Sequence, residues 1–239
     1  MQFSDALRSR HSVRDFSAQP VSEAQVEALL DQALLSPSWS NTQPYRIAIA
    51  RGAVRDRLAK AYSQKFERAS RLQGRPRWQQ LLMGAALGCL PDGDFKPVLT
   101  YPPELHERRV ATGYGLYRLL GIERHDKPAR NQQMARNYEF FGAPVALFFF
   151  VHEGLEAYSV LDAGILLQSL MLAAKDQGLD TCAQGALALW RSPLDAEFEI
   201  PKAYKLICGL ALGYASDAPI NQFQPGRRPL ADFLLPVKS

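Results

Sequence analysis

The stretch Arg10-His11-Ser12-Val13-Arg14-Asp15-Phe16 puts two guanidiniums, an imidazole and a hydroxyl within five residues, next to an aromatic ring. Alternate side chains of an extended segment point to the same side, so Arg10, Ser12 and Arg14 would face one ligand. Guanidinium groups offer planar donors that match the oxygens of phosphate or carboxylate. The heptad therefore predicts an anion-binding segment. The alternative is a solvated basic turn, because short clusters of Lys and Arg are common.

A second polar segment, Ser36-Pro37-Ser38-Trp39-Ser40-Asn41-Thr42-Gln43-Pro44, follows a predicted amphipathic helix. Ser22 and Gln25 fit the capping-box pattern at the start of that helix, and apolar residues follow at helical spacing. A proline ends the helix. The polar loop therefore lies between a helix and a strand predicted over residues 45–50, which Gly52 should end.

Other parts of the chain predict a sheet covered on both faces. Residues 145–151 are apolar at every position, which is typical of a central strand with helices on both sides. We predict further strands at residues 181–184 and 205–214. A very apolar helix, capped by Ser159, should run through residues 160–174 and end before Gly178.

The first two segments have the form Arg-x-Ser-x-Arg-x-Phe and Ser-Pro-Ser-x-x-Asn-x-Gln-Pro, and together they resemble the FMN-dependent nitroreductase family. Two further matches follow in the family's order: residues 178–185, and Gly213-Tyr214 followed by Arg227-Arg228-Pro229-Leu230. The four blocks span most of the chain. The resemblance implies an α+β, nitroreductase-like fold with a central, mostly antiparallel sheet, helices on both faces and an intertwined homodimer.

The resemblance also implies which residues bind the cofactor. They are Arg10, His11, Ser12 and Arg14 of the heptad, Pro37, Ser38, Trp39, Asn41 and Gln43 of the polar loop, and Ala183, Gln184, Gly185 and Arg227 of the later blocks. Members of the family direct the residues matched by Arg10, Ser12 and Arg227 toward the ribityl phosphate. The residue matched by Arg14 lies near the pyrimidine edge of the flavin, and a backbone amide near Gly185 faces flavin N5. The polar loop comes from the partner chain.

Two positions depart from the family pattern. Gln184 stands where an acidic residue is frequent, and Pro225 stands where a lysine is frequent. Phosphate binding in this chain would therefore depend on Arg10 and Arg227. His11 could equally be a structural residue, as lone histidines more often are.

The activity implied by the resemblance is that of an FMN-dependent NAD(P)H nitroreductase or quinone reductase. Such an enzyme takes hydride from NAD(P)H and passes it, in a ping-pong mechanism, to a flat acceptor such as a nitroaromatic or a quinone. No protein nucleophile or acid is required, so we assign no catalytic side chain. The alternatives are a relative with a dedicated substrate, such as a reductive dehalogenase or a flavin-dependent dehydrogenase, and a non-catalytic flavin-binding protein.

The middle of the chain, residues 74–141, lies between the matched blocks and contains several prolines and glycines. We interpret the chain as one domain, residues 1–239, in which this excursion forms a lid, because long excursions of compact domains are usually functional. Helices are predicted over 107–120 and 129–141. The acceptor would then contact Tyr138, Phe140, Phe141 and Trp39. The alternative is a peripheral extension whose rings fill the core.

Composition sets limits on the remaining questions. With 239 residues, of which 47% are hydrophobic, the chain can bury one large core. Its three cysteines predict buried thiols in a reducing compartment and no metal site. The net charge of +4 comes from scattered arginines with no groove-reading motif, which argues against nucleic-acid binding.

The predicted location is the cytoplasm, because we find no signal peptide and no membrane-spanning segment. The apolar helix over 160–174 and the C-terminal arm, residues 215–239, predict the dimer interface.

Overall fold

The computed structural model describes residues 1–98 and 100–238, which form four strands and eight α-helices. The strands are β1 (Tyr45–Arg51), β2 (Val145–His152), β3 (Asp180–Gln184) and β4 (Tyr204–Gly213). The helices are α1 (Phe3–Ser9), α2 (Glu23–Ala33), α3 (Gly52–Ser70), α4 (Arg77–Ala86), α5 (Pro103–Leu119), α6 (Lys127–Ala135), α7 (Ala157–Asp176) and α8 (Ser192–Asp195). Short 3-10 turns lie between several of these elements.

The four strands form one sheet in the order β1-β2-β4-β3, and every neighbouring pair is antiparallel. The predicted α+β fold with an antiparallel sheet is confirmed. The heptad runs extended along the outer side of β3, where Ser12 makes a parallel bridge to Thr181 and Phe16 an antiparallel bridge to Ala215. It thus borders the sheet at the edge opposite β1.

Strand β2 separates two layers of core because its side chains alternate between the faces. Ala146, Phe148 and Phe150 belong to one buried cluster, which α3 covers, while Leu147 and Phe149 belong to the other. Helices α2 and α7 cover that second face through a group of buried side chains: Val26, Leu29, Leu166, Leu170 and Ala174. The prediction of a central strand with helices on both sides is confirmed.

Helix α2 begins as predicted. Ser22 Oγ accepts from the backbone N–H of Gln25, and the Gln25 side chain reaches back to the backbone of Ser22. The residue after β1 departs from the prediction: Gly52, at φ +49°, does not only end the strand but opens α3.

Helix α7 is longer than predicted. It starts at Ala157, and Ser159 lies in its first turn, where its Oγ donates to the carbonyl of His152. By length and composition the helix could cross a membrane, contrary to our expectation, although 33% of its most apolar window is buried inside the chain. The buried side chains Leu166, Leu170 and Ala174 pack on the sheet.

The excursion over residues 74–141 contains α4, α5 and α6 and is tied to the body of the protein. Asp92 accepts hydrogen bonds from the backbone N–H and the hydroxyl of Ser192, and Asp94 forms an ion pair with Arg191 at 2.8 Å. Trp190 Nε1 donates to the carbonyl of Cys89 at 3.2 Å. These contacts anchor one side of the excursion to α8 and the residues before it.

The rings expected to contact the acceptor lie elsewhere. Tyr138, Phe140 and Phe141 are 4%, 0% and 2% exposed and belong to the core cluster under α3. A 3-10 turn, Arg136–Gly142, buries them because Phe140 and Phe141 take up φ of +55° and +54°. Within this chain they form no surface on which an acceptor could stack, so the structure favours the alternative that they fill the core.

Candidate functional site

The heptad and the C-terminal arm enclose a cleft of about 260 Å³ at the edge of the sheet. Its lining consists of residues from α1, the heptad and the arm: Leu7, Arg8, Arg10, His11, Ser12, Gln224, Pro225 and Arg227. The structure thus brings together Arg10, Ser12 and Arg227, which are far apart in the sequence. Two of these side chains carry guanidiniums and the third a hydroxyl, which is a donor set suited to a phosphate group.

The heptad is fixed by backbone contacts on both sides. Val13 donates to the carbonyl of Thr181 at 3.1 Å, and its side chain is fully buried. Asn221 accepts from the backbone N–H of Arg14 at 2.8 Å and donates to the carbonyls of Asp15 and Ser216. Asn221 therefore joins the heptad to the start of the arm, and sequence reasoning missed it because a single asparagine in an aperiodic segment gives no signal.

Arg14 does not share the cleft with Arg10 and Ser12. Its Nη1 donates to the carbonyl of Ser12 at 3.2 Å, and its charge acts on Cys182 of β3. Burial raises the pKa of Cys182 to about 11, while Arg14 and a hydrogen bond with Ser12 partly oppose that shift. Arg14 is not among the residues that line this cleft, so the expectation that it shares one anion with Arg10 and Ser12 stays a prediction.

His11 lines the cleft, and its Nδ1 lies 2.9 Å from the carbonyl of Ser9. That bond restrains the ring against its own backbone. This contact fits a structural role of His11 at least as well as a role in binding a ligand.

The next part of the site is the outer edge of β3. Ala183 and Gly185 are exposed, and a side chain added at Gly185 would meet nothing within 4 Å. Gln184 is 2% exposed, and its Nε2 donates to the carbonyl of Asn137 at 2.8 Å. Its buried Oε1 has no partner among the described residues. The edge therefore offers open backbone beside the cleft, with one unsatisfied acceptor behind it.

The polar loop is bonded to α7. Both carboxylate oxygens of Asp162, which is 3% exposed, accept from the backbone N–H of Trp39 at 3.1 and 3.0 Å. The Trp39 ring lies 4.3 Å from that of Tyr158 and is 52% exposed. Ser38 Oγ accepts from the backbone N–H of Gln43, and Asn41 accepts from the Gln43 side chain.

Several loop residues have backbone conformations that are rare for side chains other than glycine. Ser40, Asn41 and Gln43 have φ of 47°, 56° and 47°. Such strain persists only where surrounding contacts impose it, and it is concentrated at functional sites. Pro37, Asn41 and Gln43 are exposed, so the loop offers these groups outward.

The loop and the cleft lie at opposite corners of the sheet. The loop leads into Tyr45 of β1, which pairs with Val151 near the end of β2. The heptad borders Thr181 of β3, whose partner in β4, Leu212, pairs in turn with Val145 at the start of β2. Strand spacing puts the corners about 14 Å apart across the sheet and about 20 Å apart along it. One chain therefore does not bring the two groups of predicted residues into one site.

The protein therefore has an α+β fold with an arginine-lined cleft, suited to an anion, next to the open edge of β3. The donors of the cleft and the open edge at Gly185 fit an elongated phosphorylated ligand such as FMN. A cleft of about 260 Å³ is smaller than the roughly 300–1,000 Å³ of complete small-molecule pockets, so one chain encloses only part of such a ligand.

Comparison with known proteins identifies the family. Residues 7–214 match the model of the Nitroreductase family, and the chain belongs to that family.

Two characterised relatives are similar over nearly their whole length. The nitrobenzene nitroreductase of Ectopseudomonas oleovorans is 34% identical over 235 residues, which cover 96% of this chain and 94% of the relative. The 4-nitrobenzoate reductase of Pseudomonas putida is 32% identical over 230 residues, covering 94% and 91%.

Solved structures agree in fold. The FMN- and NADPH-dependent nitroreductase NfnB from sphigopyxis sp. strain HMH superposes with a TM-score of 0.84, at 31% identity and full coverage of both chains. The FMN-dependent nitroreductase NfnB from Mycobacterium smegmatis, in complex with NADPH, gives a TM-score of 0.82 at 29% identity and covers 99% of each chain. The predicted nitroreductase-like fold is confirmed.

Proposed function

We propose that this chain is an FMN-dependent oxidoreductase that uses NAD(P)H to reduce flat acceptors, with nitroaromatics first and quinones second. The observation that carries the proposal is the cleft of Arg10, Ser12 and Arg227 beside the open edge of β3. Relatives named for nitrobenzene and 4-nitrobenzoate, and neighbours that use FMN and NADPH, support the same activity.

Bound FMN supplies the two-electron hydride chemistry, and the chain supplies binding and electrostatics. Arg10, Ser12 and Arg227 would hold its phosphate by charge-assisted hydrogen bonds. Arg14, which lies outside the cleft lining, would stabilise the negative charge of the reduced ring system. The backbone at Gly185 would be free to donate to the flavin, and Ala183 and Gln184 would complete that edge of the site.

The loop residues Pro37, Ser38, Trp39, Asn41 and Gln43 belong to the proposed site of a second chain. Each chain would contribute its cleft to one site and its loop to the other, so a homodimer holds two complete sites. The strained, outward-facing loop and the incomplete cleft support this arrangement.

Exposed apolar surface marks the proposed interface. Tyr158, Val160 and Leu161 on α7 are 47%, 43% and 57% exposed. The arm exposes Leu235 and Val237 almost completely. Apolar surface of this extent is typical of interaction sites, and we propose that a second copy covers it.

We also place the protein in the cytoplasm as part of this proposal. The cysteines Cys89, Cys182 and Cys208 are free thiols, and burial raises the pKa of Cys208 to about 12. Protonated, buried thiols suit a reducing compartment.

The test is the spectrum and turnover of the purified protein. We expect a flavin absorbance of about one FMN per chain and NADPH consumption that rises when nitrobenzene or 4-nitrobenzoate is added. Protein stripped of flavin should lose the activity and regain it with added FMN. Bound FMN without acceptor-dependent NADPH consumption would instead identify a non-catalytic flavin-binding protein.

A further inference from the structure

Helix α5 packs closely against the C-terminal arm at one glycine. A side-chain carbon added at Gly115 would lie 2.8 Å from Cε2 and 3.4 Å from Cζ of Phe223. A distance below 3.0 Å forces a shift, here of the outer edge of the partly exposed Phe223 ring, so the absence of a side chain at Gly115 lets that ring lie this close to the helix. A side-chain carbon added at Gly113, two residues earlier and on the opposite side of the same helix, would meet nothing within 4 Å.

A second contact joins the same two elements nearer the cleft. Arg108, two turns before Gly115, donates from Nη2 to the carbonyl of Gly226 at 3.4 Å. Gly226 directly precedes Arg227, whose own Nη1 donates to the carbonyl of Pro225 at 2.7 Å. Helix α5 therefore contacts the arm at Phe223, just before the residues that line the cleft, and at Gly226, between two of them.

The beginning of the arm is also fixed by contacts other than those with α5. Ile220 is 3% exposed, and Asn221 is bonded to the heptad. Beyond Ile220 no arm residue is fully buried within the described part of the chain. The position of Arg227 relative to Arg10 thus depends on the contacts at Phe223 and Gly226.

Helix α5 has few other partners. None of its seventeen residues is fully buried, and the element with which it makes most contact is the 3-10 turn Pro219–Gln222 at the start of the arm. A helix with so little core packing contributes modestly to global stability, which leaves the support of the arm as its principal contact.

We propose that α5 positions the phosphate-binding arm and that Gly115 acts through Phe223 to set where Arg227 meets the phosphate of the flavin. The inference rests on the proposed function, because it presumes an FMN phosphate in the cleft. It gives part of the 74–141 excursion a role in cofactor retention. Gly115 and Phe223 are positioning residues, since neither lines the cleft.

The experiment compares Gly115→Ala with Gly113→Ala. Both variants gain the same helix propensity, but only the first places a carbon against Phe223. Flavin is removed from each holoenzyme, and FMN and riboflavin are titrated back by fluorescence. We expect Gly115→Ala to weaken FMN about tenfold, as for one misplaced charge-assisted hydrogen bond, and to leave riboflavin affinity unchanged. Gly113→Ala should match the wild type for both ligands.

A rescue variant separates positioning from general damage. Phe223→Leu removes the ring edge, so Gly115→Ala combined with Phe223→Leu should recover FMN affinity relative to Gly115→Ala alone. Equal FMN affinity in the two glycine variants would overturn the inference, as would a parallel loss of FMN and riboflavin. If the wild-type protein binds no FMN, the proposed function fails first and this inference fails with it.

Discussion

The arginine cleft and the polar loop are two halves of a proposed site that are built differently. The cleft is assembled from segments far apart in sequence, Arg10 and Ser12 with Arg227, and is held by backbone pairing to β3. The loop is local and strained, and one buried carboxylate, Asp162, fixes it to α7. The difference fits the proposed arrangement, in which the cleft binds the ligand of its own site and the loop contributes to the site of a second chain.

The largest expected effect comes from mixing two defective chains. An Arg10→Ala/Arg227→Ala chain lacks the cleft, and a Ser38→Ala/Asn41→Ala chain lacks the loop. Homodimers of either should lose most FMN. A mixed dimer, purified through two different tags, should regain about one FMN per dimer, because one of its two sites combines an intact cleft with an intact loop. If the mixed dimer binds as little FMN as the two homodimers, the cleft and the loop of each site come from the same chain.

The second prediction contrasts a ring of the excursion with the ring of the loop. Tyr138 lies 4.7 Å from Phe66 and 5.3 Å from Trp190, between ring centroids. Tyr138→Ala should therefore lower the free energy of unfolding by about 3–5 kcal/mol and act on all acceptors alike. Trp39→Ala should change the ranking of nitrobenzene against a quinone and cost little stability. Denaturant unfolding and kcat/KM for both acceptors measure the two effects; a changed ranking in Tyr138→Ala with intact stability would restore the lid interpretation.

The third prediction sharpens the assignment of charges along the edge. Arg10→Ala and Arg227→Ala should each weaken FMN by about ten- to a hundredfold, the loss of one charge-assisted hydrogen bond. Arg14→Ala should in addition lower the flavin reduction potential, since it removes positive charge near the pyrimidine end. Arg228→Ala is the matched control, because the Arg228 guanidinium lies over the Phe233 ring at 4.3 Å and outside the cleft lining. Equal weakening by Arg227→Ala and Arg228→Ala would refute a specific role for the first.

The fourth prediction concerns the anchor of the loop. Asp162→Ala leaves the backbone N–H of Trp39 without its acceptor and should destabilise the protein by about 1–3 kcal/mol. Asp162→Asn keeps one acceptor oxygen and should recover much of this loss. Thermal unfolding, with the assigned ¹⁹F resonance of a fluorotryptophan at position 39 as a local probe, distinguishes them. An unchanged Trp39 signal in Asp162→Ala would show that the Tyr158 ring alone holds the loop.

The smallest expected effect is a pH dependence of stability, and it comes from Asp92, which lies in neither the cleft nor the polar loop. Burial alone would raise the pKa of Asp92, but hydrogen bonds from Ser192 and Arg191 and the charge of Lys65 lower it below the ordinary 3.8. The contribution of Asp92 to the free energy of unfolding is therefore complete at a pH above that ordinary pKa. It is lost as the pH falls through the lower pKa of the folded protein. Asp92→Asn should flatten the stability profile below about pH 4. Parallel profiles for wild type and variant would remove Asp92 as the cause.

Local patterns predicted the elements that depend on local physics. The capping box at Ser22 and Gln25 and the apolar run of β2 were both correct, because each is decided by neighbouring residues or by burial on both faces. The start of α7 and the role of Gly52 were misplaced, since ends of elements depend on tertiary contacts such as that of Ser159 with His152.

The rest of the site required the tertiary structure. Tyr138, Phe140 and Phe141 are buried in a turn where two of them adopt positive φ, which side chains of this size rarely do. Asp162 and Asn221 bind backbone groups of distant segments, and no periodicity marks them. The resemblance to the family supplied the identity of the cleft residues, whereas the alternation within the heptad also grouped Arg14 with them, and Arg14 is not part of the cleft lining.

The strand order has a consequence for how the chain folds. Strand β1 pairs with β2 across roughly a hundred intervening residues, and the heptad pairs with β3 across still more, so the sheet is dominated by contacts between distant segments. Closing such long loops costs conformational entropy before the stabilising contacts form, and this cost slows folding. Refolding from denaturant should therefore be slow, with the β3–β4 pair, the closest in sequence, forming early and the anion cleft among the last features to become native. Added flavin should consequently stabilise the end product without accelerating its formation.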